Sequence, residues 1–384
     1  MPRPERALLA LGFRPFYLLA SGFAAVSVLL WALQFAGILR APILAGPAWH
    51  GHEMLFGYTL AVIAGFLLTA VRNWTGLPTP TGAALGALAL LWIAGRVLVL
   101  TPFAIAAAVV NALFPIAVAA AIGMPLFRSR NRRNYFFVAL LALASAVVLA
   151  VHLSLLGLVE WPARASLQVG LDVVLFIIAV IAGRVIPMFT NNGVPGAGAS
   201  RRPWLETMAL ASVLAMLAAD LVGAGASVVV PVALVAMLGH GARLALWHPW
   251  RTSSAPLVWV LHAAYAWIPL HFALRALAAG GLVPGTLAIH ALTLGVVGGM
   301  TIGMMTRTAR GHTARPLKAG RAEVAAYLLV FAAAIVRVFG GMLLPSLYVG
   351  TVVTSAVLWS AAFAVYFVKY LPWLIRPRLD GKPG

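Results

Sequence analysis

Residues 49–54 of this 384-residue chain read Trp-His-Gly-His-Glu-Met, which places two imidazoles and a carboxylate within four positions. Imidazole is a good ligand for iron, copper and zinc, so His50, His52 and Glu53 predict metal or cofactor ligation, or proton transfer. The spacing is not that of a zinc protease, which needs histidines four residues apart with a glutamate between them. Side chains two positions apart on a helix point about 200° away from each other. We therefore expect the two imidazoles to serve different partners.

The composition predicts an integral membrane protein. Hydrophobic residues make up 63% of the chain and charged residues only 9%, whereas soluble domains have roughly 45–50% apolar and about 25% charged residues. The formal charge of +19 comes from short basic clusters between apolar runs, which is typical of topology signals, so we expect no nucleic-acid partner. The absence of cysteine excludes disulfides, thiolate metal sites and cysteine nucleophiles.

The histidines must be positioned by membrane-spanning helices, each of which needs about 20 apolar residues. Twelve apolar runs meet or approach that length, so the sequence predicts an all-α, polytopic protein with a single membrane domain over residues 1–384. The runs lie near residues 16–39, 53–71, 82–100, 102–122, 135–157, 166–187, 204–223, 226–247, 256–279, 283–305, 322–343 and 347–371. The first run is too long for a cleaved signal, whose apolar core has about 7–15 residues.

The distribution of Lys and Arg predicts the orientation, because these residues accumulate on cytoplasmic loops. With twelve alternating spans and a cytoplasmic N-terminus, only Arg40, Arg164 and Arg275 fall on outer segments, and Arg96, Arg184 and Arg337 fall in spans or at their ends. All other members of the set of 27 lie on inner segments. We therefore expect both termini to be cytoplasmic.

This topology assigns the histidines to two depths. His50, His52 and Glu53 begin the second span at the outer surface, and His152, His271 and His290 lie toward the outer ends of the fifth, ninth and tenth spans. The inner layer contains His240, His248, His262 and His312. Ionisable residues within spans are costly and usually functional, but a lone histidine such as His152 or His240 is more often hydrogen-bonded in a structural role. Arg184, near the inner end of the sixth span, either snorkels to the surface or pairs with a carboxylate such as a haem propionate.

Several segments together resemble the NnrS family of bacterial membrane proteins. The resemblance runs over nearly the whole chain and rests on residues 12–19, 49–58, 64–76, 183–193, 259–267, 289–300 and 307–317. It implies a protein that contains haem and copper and is associated with denitrification and the response to nitric oxide. The family's histidine motifs fall on His50, His52, His262, His290 and His312, whereas His271 is in no matched motif.

A weaker likeness links the second span to haem-copper oxidases, which also have twelve spans with both termini cytoplasmic. His50, Gly51, Met54 and Phe56 follow the spelling of the segment that carries a low-spin haem ligand in those enzymes, and His290 lies on the tenth span, where their opposing ligand is found. We treat this likeness as an analogy.

The leading hypothesis is therefore a b-type haem held by a histidine of residues 49–54 and by His290 or a ninth-span histidine, with Arg184 near a propionate. Copper would be bound by the remaining histidines, which include His262, His271 and His312. Nitric oxide or another small diatomic molecule would reach the haem from the bilayer of the bacterial inner membrane. The alternatives are a transporter or metal-delivery protein, and a nitric oxide reductase or oxidase-like enzyme, which would need a separate electron donor.

Overall fold

The computed structural model describes residues 7–40 and 46–382, and within those ranges helices are the regular secondary structure and no strand occurs. Arg3 and Arg6, which entered the prediction of orientation, lie outside the described residues.

The described chain forms a series of long helices, which we number α1 to α12. Their bounds are Phe13–Phe35 for α1, Pro47–Thr75 for α2, Gly82–Leu98 for α3, Ala104–Arg128 for α4, Phe136–Leu155 for α5, Ala163–Gly193 for α6, Pro203–Leu221 for α7, Ala226–Ala245 for α8, Pro256–Ala279 for α9, Gly285–His312 for α10, Arg321–Leu343 for α11 and Tyr348–Leu374 for α12. Short 3-10 turns cover Arg132–Asn134, Pro249–Arg251 and Pro345–Leu347.

Each of the twelve apolar runs coincides with one of these helices, which confirms the prediction of an all-α polytopic membrane protein. Eleven of the helices in the described ranges are long and apolar enough to cross a membrane. The remaining helix, α3, has 17 residues, which is the lower limit for a span. The cytoplasmic position of the termini and the likeness to haem-copper oxidases stay predictions.

Local sequence explains where several helices begin and end. Pro47, Pro203 and Pro256 occupy the first turn of α2, α7 and α9, where a missing backbone N–H costs nothing and the fixed φ suits a helix. Gly76 ends α2 in the left-handed conformation with φ of 69°, which glycine adopts without strain.

Three helices contain π-helical segments, at Glu53–Thr59 in α2, Ala291–Gly298 in α10 and Val336–Gly340 in α11. The first two begin at the residue after His52 and the residue after His290. Because π segments often occur at functional sites, the positions of these two segments indicate that His52 and His290 are candidate functional residues.

The chain folds into two compact units. Unit 1 consists of residues 1–170, 307–316 and 363–384, and unit 2 consists of residues 171–306 and 317–362. In unit 1, α1 packs against the second half of α2, and α4 packs against α3 and α5; in unit 2, α9 packs against α8 and the π segment of α10. Apolar side chains on α3 and α4, including Leu90, Val97 and Ile105, are exposed, as expected for helices that contact lipid.

Candidate functional site

His50 and His52 contact different neighbours in unit 1. His50 is half-buried, and its ring stacks on Trp31 of α1 with the centroids 4.1 Å apart and an interplanar angle of 19°. His52 is only 3% exposed, and its Nδ1 lies 2.7 Å from Oε1 of Glu53. The two imidazoles therefore have separate environments, as their spacing on a helix predicts.

A chain of buried polar groups extends from His52 through Glu53 to α3 and α4. Oε2 of Glu53 accepts a hydrogen bond of 3.0 Å from Nη1 of Arg96, and Nη2 of Arg96 donates to Oδ1 of Asn111. The amide nitrogen of Asn111 donates in turn to the carbonyl of Ala107 at 2.8 Å. Each member of the chain is 9% exposed or less. Because a buried charge needs a partner, the ion pair of Glu53 and Arg96 balances itself within this unit.

Gly57 makes room for this ion pair within the π segment of α2. A Cβ at this position would lie 2.5 Å from Nη1 of Arg96 and 3.3 Å from Oε2 of Glu53. The carbonyl of Gly57 also accepts a hydrogen bond of 2.9 Å from Nε1 of Trp92, on the same helix as Arg96. Glycine at position 57 therefore allows α3 to bring its guanidinium to the carboxylate.

His152 of α5 lies beside His52. Their ring centroids are 4.8 Å apart with an interplanar angle of 80°. Nε2 of each ring is buried without a hydrogen-bond partner among the described residues. His152, Arg96 and Asn111 were not among the predicted site residues. The one sequence signal that points to His152 is its expected depth, which is similar to that of His52.

The partners of each ring nitrogen indicate which one carries the proton. A carboxylate can only accept, so Nδ1 of His52 is the protonated nitrogen and Nε2 has the lone pair. In unit 2, Nδ1 of His271 lies 2.8 Å from the carbonyl of Ala288, which also leaves the lone pair on Nε2. Within the described ranges that Nε2 has no partner, although His271 is 1% exposed.

His262 has the opposite tautomer. Its Nε2 lies 2.8 Å from Oγ1 of Thr190, whose own proton goes to the carbonyl of Ile186 at 2.8 Å. Thr190 must therefore accept from Nε2, and the lone pair of His262 is on Nδ1. That nitrogen is buried with no partner in the described part of the chain. His262 also lines an open groove of about 500 Å³ whose walls include Trp250 and Trp259.

His240 differs from these histidines because both of its ring nitrogens are paired. Nε2 lies 3.1 Å from the carbonyl of Ala209, and Nδ1 lies 2.6 Å from the hydroxyl of Tyr265. The same hydroxyl accepts a hydrogen bond of 3.0 Å from Arg243, which also forms two hydrogen bonds with Glu206. This network satisfies His240 fully, which fits the structural role predicted for it.

The remaining predicted residues have simpler surroundings. Nδ1 of His290 donates to the carbonyl of Thr286 at 2.6 Å, one turn earlier in α10. His312 ends α10, with the ring of Phe13 5.5 Å away. Arg184 is half-buried on α6. His50 and His52 belong to unit 1 and His290 to unit 2. Among residues 7–40 and 46–382, no group of three or more His, Asp or Glu side chains is gathered as a metal site.

The model of one protein family, described as NnrS protein, matches residues 7–378. No curated protein matches the sequence.

Proposed function

The chain belongs to the NnrS family, and we propose that it is a haem- and copper-binding protein of the bacterial inner membrane that acts in the response to nitric oxide. Membership of the family supports the coarser statement that it is a nitric-oxide-response membrane protein. The finer proposal concerns the cofactors, the histidines that hold them and the small molecule that they meet.

One observation carries the proposal: three deeply buried imidazoles each have one nitrogen fixed by a hydrogen bond and a lone pair with no partner among the described residues. These are His52, His262 and His271. A histidine that binds a metal typically donates its other N–H to a carboxylate, a carbonyl or another polar group, which fixes the ring and the tautomer. An unpaired buried lone pair otherwise costs about 1–3 kcal/mol. The pattern therefore fits metal or haem ligation better than a purely structural role.

The groove beside His262 supports the proposal of a flat apolar cofactor. Its volume of about 500 Å³ is in the range of roughly 300–1,000 Å³ found for cofactor sites, and its walls are mainly apolar and aromatic. His262 would hold the cofactor there through its Nδ1 lone pair, and His271 is a second candidate on the same helix. His50, His290 and His312 remain proposed ligands, with Arg184 proposed as a partner of a propionate.

Bound haem would supply iron that can bind a small diatomic molecule, with its reactivity tuned by the imidazole that holds it and by the polarity of the pocket. The protein's own contribution is to bury the imidazoles, to fix their tautomers and to keep water away from an apolar gas such as nitric oxide. We propose protection against nitrosative stress during denitrification, by binding or conversion of nitric oxide. Conversion would require a separate electron donor.

Optical spectroscopy, haemochrome analysis and metal analysis on the purified full-length protein test the proposal. We expect a b-type haem spectrum and bound copper in the wild type, and loss of haem or a shifted Soret band in His262→Ala or His271→Ala. His240→Gln is the matched control, because His240 is equally buried but has no unused lone pair. A well-folded wild type that contains neither haem nor copper would overturn the proposal.

A further inference from the structure

We infer that His52 and His152 together bind one copper ion in its monovalent state, inside unit 1. The inference rests on the proposed function and specifies its copper ligands. His152 becomes a metal ligand, although the sequence pattern favoured a structural role for it.

The first step is that both rings have a buried Nε2 that makes no hydrogen bond in the described ranges. His52 donates from Nδ1 to Glu53, so its lone pair is on Nε2, and His152 would offer its own Nε2 to the ion in the tautomer that is protonated at Nδ1. A metal–imidazole bond is about 2 Å long, so two rings that share one ion have centroids no more than about 6 Å apart. The observed separation of 4.8 Å satisfies this limit.

The second step is the support that keeps His52 in place. Glu53 holds Nδ1 of His52, Arg96 holds Glu53, and Asn111 holds Arg96. A carboxylate behind a ligating histidine raises the basicity of the ring and fixes its orientation. Glu53, Arg96 and Asn111 are therefore positioning residues, because each acts on the ion through its neighbour and His52 is the ligand that they orient.

The third step is the charge of the ion. Glu53 supplies the carboxylate next to His52, and its negative charge is already balanced by Arg96, whose Nη1 lies 3.0 Å from Oε2 of Glu53. Two neutral imidazoles and a balanced ion pair leave the charge of a bound metal uncompensated. The cost of transferring an ion into a medium of low dielectric constant rises with the square of its charge, so it is about fourfold larger for a divalent ion. Copper(I) is the imidazole-binding ion that keeps this cost low and that accepts two ligands.

The surroundings of His52 also favour a dry site. The ring of Phe56 meets His52 edge-on with the centroids 5.2 Å apart, and both His52 and Phe56 are 3% exposed. An apolar shell limits access of water and so increases the preference of the site for a monovalent ion.

Titration of the purified full-length protein with copper(I), buffered by a chromogenic chelator, measures the site directly. We expect one copper(I) per chain in the wild type and in His240→Gln, because both ring nitrogens of His240 are already paired within unit 2. His152→Phe, which keeps an aromatic ring of similar size beside His52, should lose that copper. The double variant Glu53→Gln, Arg96→Gln removes both charges together and should weaken copper binding by about 10–100-fold.

A second titration, with zinc(II), tests the charge argument. The wild type should bind copper(I) in preference to zinc(II). Arg96→Gln leaves the carboxylate of Glu53 uncompensated, and the ratio of zinc(II) to copper(I) affinity should then rise by about tenfold or more. A purely structural role of Arg96 would lower both affinities equally.

Unchanged copper(I) binding in folded His152→Phe, or tighter binding of zinc(II) than of copper(I) by the wild type, would overturn the inference. Haem analysis on the same samples separates this failure from failure of the proposed function. If the wild type contains haem and His152→Phe still binds copper, only the assignment of His52 and His152 as copper ligands is refuted. A wild type that contains neither cofactor would refute both.

Discussion

Replacement of Gly57 by alanine tests whether the close approach of α3 to α2 depends on the missing side chain. The added Cβ would lie 2.5 Å from Nη1 of Arg96 and 2.9 Å from Cε1 of Phe23. Ordinary contacts of this kind are at least about 3.4 Å long, so neighbouring atoms must move by almost 1 Å. Arg96 cannot move freely, because its two terminal nitrogens are held by Glu53 and Asn111.

The size of the effect follows from two destabilising contributions and one stabilising contribution. Overpacking a well-filled interior costs about 1–3 kcal/mol, and separation of a buried ion pair that leaves a charge unpaired costs about 3–5 kcal/mol. Glycine to alanine in a helix restores roughly 0.5–1 kcal/mol. With Arg96 displaced but not fully released from Glu53, we expect Gly57→Ala to lower the free energy of unfolding by about 2–4 kcal/mol.

Reversible unfolding in mixed detergent micelles, followed by circular dichroism, measures this difference. Gly86→Ala on α3 is the matched control, because the nearest atom to its added Cβ is Cδ1 of Leu9 at 3.5 Å. The control should be neutral or slightly stabilised. The cost of Gly57→Ala should also fall in an Arg96→Gln background, because one of the two clashes is then removed. If Gly57→Ala were as stable as Gly86→Ala, the packing argument would be wrong.

Three further predictions concern unit 2 and use the same unfolding measurement. Gly183→Ala should destabilise the protein by several kcal/mol, roughly the cost of a disrupted buried ion pair, because its Cβ would collide with Nη2 of Arg243. The control Gly241→Ala has open space around its added Cβ and should not destabilise the protein. Equal stabilities of the two variants would contradict the prediction. His240→Phe should cost about 1–3 kcal/mol, because the buried Tyr265 hydroxyl loses the acceptor of its proton, while the haem and copper content stays unchanged; a loss of metal would assign His240 to a cofactor. Tyr265→Phe should cost a similar 1–3 kcal/mol, because Arg243 and His240 both use its hydroxyl, and an unaltered free energy of unfolding would show that neither hydrogen bond stabilises the fold.

The helices could be predicted from the sequence because length and hydropathy are local properties. Each apolar run became a helix, and even the shortest, Gly82–Leu98, begins and ends within two residues of its predicted bounds. The π segments could not be predicted, because the shift in hydrogen-bond register depends on what packs against α2 and α10. The sequence indicated Glu53 as a candidate site residue through its spacing from His50 and His52, but it did not indicate the partner Arg96, since a residue on a different helix becomes a neighbour only through tertiary packing.

His152 and His240 show which property would separate a metal ligand from a structural histidine. His152 and His240 have the same sequence signature, a lone imidazole in an apolar helix, and both are buried. What distinguishes them is hydrogen bonding: Nδ1 of His240 accepts the proton of the Tyr265 hydroxyl, whereas Nε2 of His152 has no hydrogen-bond partner within the described residues. Because the tautomer is decided by hydrogen-bond partners on other helices, the assignment of a buried histidine requires tertiary contacts. Glu53 matters for the same reason. It accepts the hydrogen bond from Nδ1 of His52, which leaves the lone pair on Nε2, the nitrogen that a metal would bind.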